Sequence, residues 1–101
     1  MDRRLELHQI LNGIPGVKKA YFQPPESVKL EYPCIVYKLQ NVDMRSANDH
    51  PYKNRDGYQV TIIDRNPDSQ IRKVMETMML CRFERPFASD GLNHWVYMLY
   101  Y

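Results

Sequence analysis

Apolar residues along this chain change their spacing several times, and each change marks an element. Leu7, Ile10, Leu11 and Ile14 recur at i, i+3, i+4 and i+7, which places them on one stripe of a helix over about residues 2–12. Asp2 stands where an N-cap belongs, and Gly13 where the helix should stop, before Pro15 and Gly16 break the chain. Lys18 to Gln23 is a short strand candidate, closed by Pro24 and Pro25. Tyr32 to Leu39 is a stronger one, with Cys34 and Val36 on one side and Ile35, Tyr37 and Leu39 on the other. Pro33 suits only its start or an edge, because proline has no N–H for the ladder.

Residues 41–56 follow neither period and are rich in Asn and Asp. With its flanks, 40–57, this makes a long loop, since adjacent strands are usually joined by roughly two to five residues. Tyr58 to Ile63 returns as a strand. Asn66 then offers an N-cap, Pro67 the first helical position and Asp68 a first-turn acid, and Ile71, Val74, Met75 and Met78 give the stripe of a second helix. Leu80 to Phe87 alternates apolar and polar residues and is expected to end near Pro86. Ala88 to Gly91 makes a turn.

The last ten residues have no polar side. Leu92, His94, Val96, Met98 and Tyr100 fall on one face of the terminal strand, and Asn93, Trp95, Tyr97, Leu99 and Tyr101 on the other. A strand apolar on both sides belongs to a sheet that needs cover on both faces. The expected fold is α+β: a mostly antiparallel sheet of four to five strands with two helices packed on one face, in the order α-β-β-β-α-β-β. Two helices do not cover two faces, so Trp95, Tyr97, Leu99 and Tyr101 are the candidate subunit interface. The alternative is that sheet curvature and the Lys18–Tyr32 segment supply the cover.

Length and composition narrow the class. At 101 residues the chain is read as a single domain. Its 44% hydrophobic and 26% charged residues are ordinary for a globular protein, whereas eight Tyr point to half-buried strands and interfaces. The net charge of +2 is spread without runs, which gives no strong nucleic-acid footprint. Cys34 and Cys81 have no CxxC spacing and sit in apolar stretches, as free buried thiols do. The opening Met1-Asp2-Arg3-Arg4 does not read as a secretory leader, and no stretch approaches the ~20 apolar residues of a membrane span.

Candidate chemistry is thin. His8, His50 and His94 share no ligand spacing, and Asp49-His50 has no nucleophile placed beside it. Asp64 at a strand end has the position of a Mg²⁺ carboxylate, but Asn66, Pro67 and Asp68 are explained by helix initiation. Met75, Met78 and Met79 read as packing before they read as a soft binding surface. No enzyme, cofactor or metal site is expected.

Several local signatures nonetheless coincide: Tyr32-Pro33-Cys34-Ile35-Val36-Tyr37, the run from Tyr58 through Asp64-Arg65-Asn66-Pro67-Asp68-Ser69, Phe83, and Asp90-Gly91-Leu92-Asn93-His94-Trp95-Val96-Tyr97 leading to Tyr100-Tyr101. Over residues 1–101 the chain resembles the small tail-completion or tail-terminator proteins of long-tailed bacteriophages and prophages of Gram-positive hosts. The resemblance implies a homohexameric ring at the head-proximal end of the tail tube, which ends tube polymerisation and joins tail to head. It implies a virion location at the head–tail junction, assembly in the host cytoplasm, and as partners the tail tube protein and a head-completion or adaptor protein. DNA would pass through the channel without specific binding. In this setting Arg45, Asp49, Tyr52, Lys53 and Arg55 of the long loop are the candidate contacts to the tube or the next subunit. The neighbouring readings are a head-completion or head–tail adaptor ring, and a small nucleic-acid-binding α+β domain using Tyr-rich strands for stacking.

Overall fold

The computed structural model describes residues 3–41, 56–78 and 80–101. The elements are α1 (Arg3–Asn12), β1 (Lys19–Phe22), β2 (Cys34–Asn41), β3 (Gly57–Asp64), α2 (Ile71–Met78), β4 (Leu80–Ser89) and β5 (Leu92–Tyr100). They form an α+β fold in the expected order, with one five-stranded sheet arranged β1-β2-β3-β5-β4. Three neighbouring pairs are antiparallel; β1 and β2 run parallel, joined by the connection 23–33.

Side-chain alternation sorts the sheet into two faces. Ala20, Ile35, Tyr37, Tyr58, Val60, Ile62, Trp95, Tyr97 and Leu99 share one face and form a single core cluster with Leu7 and Leu11 of α1, Ile14, and Ile71 and Met75 of α2. Both helices therefore pack on this face. Phe22, Tyr37 and Tyr58 stack across three strands, with ring centroids 5.0 and 6.0 Å apart. Each is a large apolar body, and the tilted and edge-on geometries suit the aromatic quadrupole.

The first helix keeps its expected stripe: Leu7, Leu11 and Ile14 are buried and Ile10 is half-buried. Its proposed cap, Asp2, lies outside the described residues. Asn12 closes the helix and ties it to the sheet, its Oδ1 accepting the Ala20 N–H at 2.9 Å. The turn that follows needs glycine at Gly16. Its φ is +95°, and a Cβ there would lie 3.3 Å from Cγ1 of Ile71. The close approach lets the α1–β1 turn pack on the start of α2.

The second helix starts later than its sequence suggests. Asn66 and Pro67 lie in a turn upstream of it, where Asp64 Oδ1 accepts the Asn66 N–H at 3.0 Å and Asn66 Oδ1 accepts the Asp68 N–H at 2.9 Å. These side-chain bonds replace the helical ones, as Asx residues commonly allow. The cap position passes to the buried Ser69, whose Oγ accepts the Ile71 N–H at 3.3 Å. At the other end the expected stripe fails, because Met78 is 53% exposed.

The fourth strand runs past Pro86 to Ser89 instead of ending there. It is an edge strand with a bulge between Phe83 and Arg85, the place where a proline is tolerated in a ladder. Asp90 and Gly91, with φ of 54° and 74°, then make a two-residue hairpin into β5. Both central residues have positive φ, the pattern of the primed turn that matches strand twist.

Candidate functional site

The terminal strand is where a partner was expected, and it is already covered. Trp95, Tyr97 and Leu99 are 8%, 0% and 0% exposed in the isolated chain, packed in the core cluster beneath the helices. Tyr101 is partly buried against the same cluster, and the Arg3 guanidinium lies 4.4 Å from its ring centroid. Trp95, Tyr97 and Leu99 are therefore part of the chain's own interior, and Tyr101 stands half-buried at its margin. The reason is the sheet order. The terminal strand sits between β3 and β4, so the helices that cover β3 also reach β5.

Tyr97 is fixed by more than packing. Its hydroxyl donates to Oε2 of Glu76 on α2, which also lies 3.9 Å from Arg72. Burial and the Glu76 carboxylate push the Tyr97 phenol well above its ordinary range. On α1, Nδ1 of His8 and the Tyr37 hydroxyl are hydrogen-bonded at 2.7 Å. Burial, then the charges of Arg4 and Lys19, lower the His8 pKa. Each helix is thus pinned to a core tyrosine by one polar bond.

Among the described residues, no helix packs on the opposite sheet face. Its strands contribute Cys34, Val36 and Lys38 from β2, Gln59, Thr61 and Ile63 from β3, and His94, Val96, Met98 and Tyr100 from β5. The 23–33 connection lies along the β1 side of this face. Tyr21 hydroxyl accepts the Glu31 N–H at 3.1 Å, and Arg65 stands over the Tyr32 ring. Cys34 at that end is fully buried, and burial pushes its thiol up to about 11. Between Gln23, Pro24, Val36, Lys38, Gln59 and Thr61 an open groove of about 410 Å³ remains. The Lys18–Tyr32 segment thus covers part of the face opposite the one it was expected to cover.

Unsatisfied apolar surface gathers at β4. Met78, Leu80, Phe83 and Phe87 are between 42% and 53% exposed, close together in sequence at one margin of the sheet. Phe83 lies on the helix side and meets the Tyr97 ring edge-on at 5.1 Å; Leu80 and Phe87 lie on the open side. Apolar groups clustered on an edge strand mark an interaction surface more often than scattered ones do. Sequence reasoning missed this patch because Leu80–Phe87 alternates like a half-buried strand. Its exposure follows from the edge position of β4, which has a neighbouring strand on one side only.

The remaining candidates stand apart. Arg45, Asp49, Tyr52, Lys53 and Arg55 lie outside the described residues, as does His50, in the segment joining the paired ends Asn41 and Gly57. His94 stacks on Phe87 with centroids 4.3 Å apart. Asp64 is occupied with the Asn66 N–H. Among the described residues no group of three or more His, Cys, Asp or Glu side chains could hold a metal ion, and no helix is long and apolar enough to cross a membrane. No protein-family model matches the chain, and neither a curated protein nor a solved structure matches it significantly.

Proposed function

We propose that the chain is a structural subunit of the tail-terminator type, forming a homohexameric ring that ends tail-tube growth and joins tail to head. The observation that carries this reading is the exposed apolar margin of Met78, Leu80 and Phe83 beside the buried core. A monomer gains nothing from leaving these groups in water; a neighbouring copy would cover them. The patch occupies one margin of the sheet, so a contact between it and a different surface of the next copy is heterologous, the kind that closes into rings. The resemblance of the sequence to phage tail-completion proteins supplies the identity of the ring.

The test is assembly and capping. Purified chain is examined by native mass spectrometry and negative-stain imaging across concentration and salt, then added to polymerising tail-tube protein. Closed rings, and tubes of limited length with a ring at one end, are the expected result. A chain that stays monomeric and leaves tube growth unchanged would overturn the proposal. Binding to an adaptor or portal in place of the tube would move the ring one layer toward the head.

A further inference from the structure

The sheet face away from the helices is closed at Cys34, Ile63, Val96 and Met98, all buried. It opens at one corner, where β2 runs on past the end of β1. There the groove of about 410 Å³ lies between Pro24 and the half-buried Val36, Gln59 and Thr61. Lys38 and Leu39 line it too; both are exposed, and among the described residues Lys38 is its one charged side chain. Gln23 fixes the wall, with a φ of 45°. Its N–H donates to the Tyr37 carbonyl at 2.9 Å, and its Oε1 accepts the Leu39 N–H at 3.1 Å. At the other margin of the sheet Leu80 and Arg82 point to this same side. Glu84, the one acid of β4, joins them by pairing with Arg82 at 3.2 Å. An exposed pair of that kind is worth little, so Glu84 is available to a second cation.

We propose that this groove seats the β4 margin of the next copy, with Leu80 against Val36 and Leu39 and with Glu84 on Lys38. The inference rests on the ring reading and names the second of the two surfaces that reading needs. Charge selects the occupant. The groove offers one cation, and the apolar margin carries one acid beside its exposed leucine. Arg82 shares that carboxylate, whose two oxygens accept from both cations, while the Arg85 guanidinium lies over the Phe87 ring at 5.3 Å. Exposed Leu80 and Leu39 cover each other, and Gln59 and Thr61 supply the polar rim usual around an interface core. In the order β1-β2-β3-β5-β4 the groove and the margin stand three strand spacings apart, roughly 14 Å. Two different patches of one copy are thus used head to tail, the geometry that closes into a ring.

The test is a charge exchange in the full chain, read by native mass spectrometry as the concentration of half-assembly. Lys38→Glu and Glu84→Lys should each raise it by about tenfold or more, because each sets like charges against one another. The double variant Lys38→Glu/Glu84→Lys should return it to within about threefold of the unsubstituted chain. An equal mixture of the two single variants should assemble where neither does alone, the two kinds alternating. Lys73→Glu, on α2, should change nothing. Both exchanged side chains are exposed, so thermal midpoints should stay together and rule out misfolding as the cause. If rings form only on tube ends, the same variants are read by the length of capped tubes. Assembly indifferent to both single substitutions, or a double variant no better than the singles, would overturn this contact and leave the ring reading standing. Association that follows the charge exchange but yields open chains would support the contact and remove the ring. A chain that neither associates nor caps tubes would overturn both.

Discussion

The fourth and fifth strands are partners along their whole length, paired from Leu80 with Tyr100 to Ser89 with Leu92, yet they have opposite fates. In β5 five consecutive residues, Trp95 to Leu99, are buried; in β4 only Cys81 is even half-buried. Position explains the contrast better than composition. The fifth strand has a neighbour on each side and the helices over one face, whereas β4 is the edge strand with a neighbour on one side only. An apolar strand therefore reported its place in the middle of the sheet, and the surface left for a partner fell on its less apolar neighbour.

That contrast can be broken most sharply in β5. Leu99→Ala should lower stability by about 3 kcal/mol in chemical denaturation, the range for a leucine removed from a packed core. Leu80→Ala on β4 should change it by about 0.5 kcal/mol or less, as surface substitutions do. Equal losses at the two sites would show that the edge is covered in the folded chain.

A smaller effect is expected from Tyr97→Phe, which deletes the bond to Glu76 while keeping the ring. About 1 kcal/mol should be lost, the usual worth of one hydrogen bond. A neutral substitution would mean that packing alone holds α2 on β5. The pH dependence at His8 is subtler. Its folded pKa lies below the unfolded value, so the unfolded state binds more protons as pH falls. The His8 contribution is present above about pH 6.5 and lost as acid protonates the folded ring. Thermal midpoints should fall between pH 7.5 and 5.5, and His8→Gln should flatten that slope; an unchanged slope would remove His8 as its source.

Phe83→Ser should perturb the fold little, by under about 1 kcal/mol, because its side chain is nearly half exposed. Its effect should appear in assembly, as a shift toward monomer in native mass measurements. Unaltered assembly would take Phe83 out of the proposed contact.

Local rules made much of the fold legible. Helical spacing located Leu7, Leu11 and Ile14 in the interior, and alternation found the cores of β2, β3 and β5. The candidate site was far less readable. Placing Trp95, Tyr97, Leu99 and Tyr101 at an interface assumed that two helices could not shield them, and counting helices says nothing about which face they cover. Pro86 suggested a strand end only because its strand was not yet known to be an edge. Asn66 and Pro67 suggested a helix start because Asx turns and N-caps use the same side-chain bond.

What the sequence by itself determined is the number, type and order of the elements, since periodicity, capping chemistry and turn residues act over a few positions. Tertiary structure alone decided the sheet order β1-β2-β3-β5-β4, the parallel pairing of β1, and the exposure of β4. Those depend on which distant segments pair and which face the helices choose. These outcomes follow from burying the whole core at once, and no local pattern encodes them.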